Sequence, residues 1–172
     1  MRYDTTCLRE IRNLLIENSR TLSVAESVTS GYLQAAFSSA KDATRFFQGG
    51  ITAYNNGQKA RHLLVEPIHA EACDCVSEKV SSEMATGSNR LFSSDYAIGI
   101  TGYANGNAGQ PGDTNDPTLF AFLAIAKNQE ILLTRKLFSV KTSMIDVQLD
   151  YTNQALHHLA RVLRDARDKS TQ

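Results

Sequence analysis

A serine hydroxyl attacks an acyl carbon near neutral pH only when a neighbouring base takes its proton. The serines to weigh first are therefore those that a fold would hold at a turn. Ser27 is one of them. The run before it, Thr21-Leu22-Ser23-Val24-Ala25, reads as a buried strand, and the run after it, Tyr32-Leu33-Gln34-Ala35-Ala36-Phe37, reads as a helix. At such a strand-to-helix turn the amides around Thr29, Ser30 and Gly31 would face an anion or the oxyanion of an acyl-transfer intermediate, with the positive end of the helix behind them. Ser27 would serve equally well as a plain helix cap. Downstream, Tyr54-Asn55-Asn56-Gly57-Gln58-Lys59 brings a phenol and an amine into one short stretch. Each has an ordinary reading too, as a strand-end aromatic in water and an exposed lysine on a short helix.

The elements that would position these residues follow from the hydrophobic pattern. Asp4 or Thr5 caps a first helix with Leu8, Ile11, Leu14 and Leu15 on one face. After the strand ending at Ala25 comes a helix over 30–40, then a short extended run Ile51–Tyr54. Asn55 or Asn56 caps a short helix carrying Lys59, Leu63 and Leu64. Pro67 suits the first turn of another, and Ser77 caps a longer one bearing Val80, Met84, Gly87, Ser88 and Leu91. Asp95–Thr101 is the next strand. Leu119–Ala126 and Glu130–Phe138 follow, joined by Lys127-Asn128-Gln129, a connection short enough to force them antiparallel. A final amphipathic helix runs from about Ser143 to Asp168 with Ile145, Leu149, Thr152, Leu156, Leu159 and Leu163 inward. This order predicts one domain over 1–172, an α/β fold with three layers, α/β/α, around a mixed, mostly parallel sheet that ends in a β-hairpin. In such sheets ligands bind beyond the carboxyl ends of the strands, and Ser27, Tyr54 and Thr101 all fall at or just past such ends.

Composition narrows the functions. With 18 basic against 18 acidic side chains in 172 residues, the chain lacks the basic excess that nucleic-acid binding requires. Arg161, Arg164, Arg167 and Lys169 are interleaved with acids and read as a solvated helix end. No apolar run approaches a signal peptide or a membrane span, so a cytoplasmic location is expected. The three cysteines, Cys7, Cys73 and Cys75, are expected as reduced thiols. Cys73-Asp74-Cys75 has one intervening residue where metal pairs usually have two, and with His69 alone nearby no metal is expected. The run Thr101-Gly102-Tyr103-Ala104-Asn105-Gly106-Asn107-Ala108-Gly109-Gln110-Pro111-Gly112-Asp113 is neither a P-loop nor a dinucleotide fingerprint. It reads as a substrate cover or a mobile loop.

Taken together, Ala-Glu-Ser-x-Thr-x-Gly at 25–31, Gly49-Gly50-Ile51-x-x-Tyr54, the Tyr54-to-Lys59 spacing, Val76-Ser77-Glu78 opening a helix with Met84, and Ile100-Thr101-Gly102 resemble the CinA C-terminal family, here as a stand-alone PncC-type chain. The resemblance implies hydrolysis of the carboxamide of nicotinamide mononucleotide to nicotinic acid mononucleotide and ammonia, with no metal or cofactor. It makes Ser27 the nucleophile and Tyr54 and Lys59 its activating partners, with Tyr54 linking Lys59 to Ser27. Glu26, Thr29, Ser30, Gly31, Thr101, Gly102 and Lys141 become substrate-binding candidates. It also implies a homo-oligomer, a dimer or larger, acting on a small-molecule nucleotide. For Lys59 to accept a proton its pKa must fall by several units from about 10.4, which burial can supply.

The chain departs from the family pattern in places that bear on substrate. Val28 and Ser30 replace a Cys and a Gly of the nucleophile motif, which are mild changes. The Gly loop after Thr101 is altered, and Pro117-Thr118-Leu119-Phe120 stands where the family has Pro-x-Gly-Thr, so that Leu119 would fill space a glycine leaves open and, with Phe120, narrow the pocket. Phe138-Ser139-Val140-Lys141-Thr142 replaces Phe-x-Gly-x-Arg. A guanidinium fork for phosphate is thus absent there, and Lys141 supplies only a point charge. These departures leave open a catalytically weak or inactive relative that binds a nucleotide or protein partner, and an amidase for another small carboxamide.

Overall fold

The computed structural model describes residues 3–105 and 119–170. Their elements are α1 (Thr5–Glu17), β1 (Leu22–Glu26), α2 (Tyr32–Ser38), β2 (Phe47–Thr52), α3 (Asn56–Leu63), α4 (Pro67–Ala72), α5 (Glu78–Phe92), β3 (Tyr96–Gly102), β4 (Leu119–Lys127), β5 (Glu130–Ser139) and α6 (Met144–Ser170). The strands form one sheet in the order β2-β1-β3-β4-β5. β2, β1 and β3 run parallel, β4 is antiparallel to both neighbours, and β4 and β5 make the expected hairpin. Asn128 and Gln129 turn it with positive φ of 50° and 73°, matching the twist of the flanking strands.

Alternation along β1 shows how the layers are filled. Leu22 and Val24 join a core with α1, α2 and α6, including Ile11, Leu15, Phe37, Tyr151 and Leu159. Ala25 faces the other way and packs with Leu63, Val80 and Met84 from α3 and α5. Helices therefore cover both faces, which is the expected three-layer architecture. Among the described residues no helix is long and apolar enough to cross a membrane.

Two boundaries differ from the pattern reading. β2 starts at Phe47 rather than Ile51, because Gly49 and Gly50 pair with Ser23 and Val24 of β1 despite their poor strand propensity. A Cβ at Gly50 would stand 2.5 Å from Val24 Cγ2, so the glycine is what lets the strands sit flush. On α6, Ile145 is exposed and Leu149 half-buried, whereas Val147, Tyr151 and Ala155 are buried. The apolar stripe enters the core one turn later than the leucine spacing implies, because the first turn of α6 stands at the edge of the domain.

α5 lies close against the sheet at Gly99, where an added Cβ would sit 2.2 Å from Ser81 O and 2.5 Å from Ala85 N. Both are backbone atoms of a packed helix and cannot yield as a side chain would. Gly99→Ala should accordingly destabilise the fold by about 1–3 kcal/mol, measured by urea unfolding. An unchanged midpoint would mean that α5 rides higher on β3 than these distances state.

Candidate active site

Ser27 is the first residue past β1, and its N–H continues the ladder by donating to Ile100 O of β3 at 3.0 Å. The turn after it is built around a neighbour. Glu26 is fully buried, and both of its carboxylate oxygens are occupied. Oε2 accepts from Thr29 Oγ1 (2.6 Å), Gly31 N (3.1 Å) and Leu33 N (3.0 Å), while Oε1 accepts from Gln34 N (2.9 Å) and Gln34 Nε2 (3.1 Å). Glu26 thus satisfies the amides that the start of α2 leaves unpaired and neutralises the positive end of that helix.

This corrects the substrate role expected of four residues. Glu26 and Thr29 are buried inside the turn. Gly31 has a φ of 101° and its amide is spent on Glu26; Ser30 points its hydroxyl at Ser27 O, 3.3 Å away. None of the four lines the cavity described below. Among the described residues the N–H groups of Val28 and Thr29 donate to no protein acceptor. An oxyanion would therefore be met by the amide next to the nucleophile and not by the helix start.

Lys59 sits in the first turns of α3, whose cap Asn55 accepts from Gln58 N through its side chain. Only 1% of Lys59 is exposed, and its Nζ lies 2.9 Å from Ser27 Oγ and 3.3 Å from Tyr54 O. Burial pushes its pKa below the 10.5 of a free lysine, against the opposing pull of Cys75 and Asp74. The charged form donates to Ser27 Oγ, and the neutral amine can accept the serine proton at the same distance. Tyr54 does not join the two side chains as expected. Its side chain is 73% exposed, and it meets Lys59 through its backbone carbonyl. The reason is local: Ala53 takes the inward position and extends the pairing to Glu26 O, which turns Tyr54 outward at the cavity edge.

Ser27, Lys59, Tyr54, Thr101 and Gly102 all line one open cavity of about 580 Å³ beyond the carboxyl ends of β1 and β3. Thr101 is buried and donates from Oγ1 to Cys75 O at 2.8 Å, which ties the loop before α5 to the sheet. Gly102 lies where a Cβ would meet Ala121 Cα at 2.5 Å, so it holds β3 against β4. Lys141 is exposed and outside the cavity lining, with its own N–H donating to Ser139 Oγ. Leu119 does not narrow the cavity either, since it is buried in the core on the α6 side, and Phe120 packs against the ring of Tyr103, which does line it. Of the altered Gly loop, residues 106–118 lie outside the described residues.

Several lining residues carry no signal in the pattern. Gln148 of α6 is buried and donates from Nε2 to Val28 O (3.0 Å) and Ser30 Oγ (3.2 Å), bracing the nucleophile turn. Its only trace is a polar residue on the inward stripe of α6. Asp74 and Cys75, the latter weighed above only as a metal ligand, occupy successive left-handed positions with φ of 51° and 59° and line the cavity. His69 Nε2 lies 3.0 Å from Ser77 Oγ.

Residues 4–163 match the model of the CinA C-terminal domain. A CinA-like protein of Chlorobium limicola is 37% identical over 125 residues, 73% of this chain and 29% of that protein. The protein YdeJ of Escherichia coli is 35% identical over 108 residues, 63% of each chain. The chain thus spans about a third of the length of the longer curated relatives it matches. A crystal structure of a CinA superfamily protein from Klebsiella pneumoniae superposes with a TM-score of 0.86 at 25% identity, covering 95% of this chain and 99% of that one.

Proposed function

From the chain's place in the CinA C-terminal domain family, to which it belongs, and from the 2.9 Å contact between a buried Lys59 and Ser27, we propose that it is a serine amidohydrolase acting on the carboxamide of nicotinamide mononucleotide. The contact carries the reading. A lysine stripped of water beside a serine has its amine made available as a base, and a serine at a turn over an open cavity is placed to attack.

The steps follow from the groups present. Ser27 Oγ attacks the carboxamide carbon while its proton passes to Lys59 Nζ. The Val28 N–H, next to the nucleophile, meets the oxygen on which charge develops. Lys59 then returns the proton to the leaving nitrogen, which departs as ammonia and leaves an ester on Ser27. Water attacks that ester, its proton again going to Lys59 and then to Ser27 as the acid is released. Tyr54, exposed at the rim, is placed to contact the substrate rather than to relay protons. Gln148 and Glu26 hold the turn. Incubation with nicotinamide mononucleotide should yield nicotinic acid mononucleotide and ammonia in equal amounts, and the absence of both products would overturn the reading.

The pH dependence has a definite sign. The working form of Lys59 is the neutral amine, and burial lowers its pKa from 10.5. Activity, as kcat/KM, should rise with pH and level off once Lys59 has lost its proton, with a midpoint below 10.5. A profile that falls across the alkaline limb would mean that the ammonium is the working form.

A further inference from the structure

Gln148 braces the nucleophile turn with only half of its side-chain amide. It stands in the second turn of α6, 8% exposed, and Met144, one turn earlier on the same face, lines the cavity with it. Nε2 donates to Val28 O at 3.0 Å and to Ser30 Oγ at 3.2 Å. A carbonyl oxygen only accepts, so the group facing Val28 O is the NH₂ and the amide has one orientation. The other end is unused. Among the described residues nothing donates to Oε1, and it is not sealed inside the protein as Asn56 Oδ1 is, so it keeps an opening onto the cavity that Gln148 lines. An unpaired acceptor on so deep a side chain costs stability that an apolar residue on the inward stripe of α6 would not. A donor held in the cavity would pair it.

Resting on the amidohydrolase reading, we propose that Gln148 is a specificity-determining residue whose Oε1 accepts an N–H from the substrate carboxamide held over Ser27. The assignment follows from what each atom can do. Oε1 only accepts, and in a primary carboxamide only the NH₂ donates. Because Nε2 of the same planar group is fixed to residues 28 and 30, Oε1 lies beside the turn that presents Ser27, where the reacting group must sit. With its NH₂ held there, the carboxamide turns its oxygen the other way, toward the Val28 N–H that meets the developing charge. The nitrogen is then fixed while Lys59, 2.9 Å from Ser27 Oγ, returns the proton to it. The acid product has no N–H to give, and its carboxylate oxygen opposes Oε1, so the atom that holds the amide also favours release of the acid.

Two probes separate this contact from the brace: nicotinamide mononucleotide, and the methyl ester of nicotinic acid mononucleotide, which has acceptors at the reacting group but no N–H. Formation of nicotinic acid mononucleotide from each is followed for the native protein, Gln148→Met and Ser30→Gly, and binding of each is measured by calorimetry in Ser27→Ala with and without Gln148→Met. Methionine keeps the length of the side chain and removes both amide atoms. Ser30→Gly suits the left-handed φ of 48° and removes one acceptor of Nε2, so it loosens the brace and leaves Oε1 in place. Gln148→Met should lose about three- to tenfold more kcat/KM on the amide than on the ester, the worth of one neutral hydrogen bond, whereas Ser30→Gly should lower both alike. Ser27→Ala should bind the amide more tightly than the ester by a similar factor, and the added Gln148→Met should abolish that preference. Equal losses on amide and ester in Gln148→Met, or equal binding of the two by Ser27→Ala, would overturn the proposal; the binding arm decides this even if Gln148→Met does not fold. A binding preference that Gln148→Met abolishes, with no turnover of the mononucleotide by the native protein, would instead overturn the amidohydrolase reading and leave the Gln148 contact standing. Neither binding nor turnover of either probe overturns both.

Discussion

Lys59→Met loses about 100- to 10,000-fold in kcat/KM, the range expected when a positioned general base is removed, while the protein keeps its thermal stability or gains a little. The two halves of this result come from one fact. Lys59 is 1% exposed, so its ammonium has been taken out of water and its pKa is lowered by that burial. Methionine has nearly the same stem and fills the same space without a charge to desolvate. If Lys59 only packed, the substitution would be silent in activity. If it mainly held Ser27 by a structural ion contact, stability would fall with activity.

The linkage between Lys59 and stability has a sign that can be checked in the same variant. The native state holds the Lys59 proton less tightly than the unfolded chain, whose lysine titrates near 10.5. Between the lowered native pKa and 10.5 the unfolded state binds more protons, so native stability rises with pH across that window. Below the window both states are protonated and the full cost of the buried charge is present. In Lys59→Met that alkaline rise should vanish, as read from melting temperatures at a series of pH values; an identical rise in both proteins would place its origin elsewhere.

Glu26→Gln, a change of one oxygen to an amide nitrogen, costs the fold about 2–4 kcal/mol. Both carboxylate oxygens accept: three donors point at Oε2 and two at Oε1. An amide offers one oxygen, so whichever way it is turned its NH₂ faces donors inside a fully buried site, and those donors go unpaired. For a domain of this size the loss corresponds to a fall of roughly 4–16 °C in melting temperature. Activity should fall as well, because the same bonds shape the turn that presents Ser27. A variant that melts like the native protein would show that these bonds are dispensable.

The same residue shows where sequence reasoning stops. That Ser27 follows a buried strand and precedes a helix was legible, because apolar runs and helical spacing are local. So was the α/β order, down to the hairpin that the connection at 127–129 forces. The family resemblance counts Glu26 among the substrate-binding residues. Its alternation along β1 sends it inward beneath α2, and a carboxylate so rarely goes unpaired into a core that only the donors gathered around it explain its presence. The contact between Lys59 and Ser27 spans 32 positions and depends on β2 lying beside β1, which no local pattern states. Tyr54 differs from expectation for the opposite reason: it lies at the cavity as its place in the chain implies, but one residue of strand phase decides whether a side chain points in or out. Asp74 and Gln148 reach the cavity from a left-handed turn and from the far end of the chain, and neither leaves a periodic mark.

Whether Ser27 is a nucleophile activated by Lys59 is tested most directly by removing one oxygen atom. Ammonia release from nicotinamide mononucleotide is measured for the native protein and Ser27→Ala side by side, after both are shown to melt at the same temperature. The account predicts turnover by the native chain and a loss of about 10,000-fold or more in the variant. Release by Ser27→Ala at a rate near the native one would contradict it, since water and Lys59 alone would then be carrying out the chemistry.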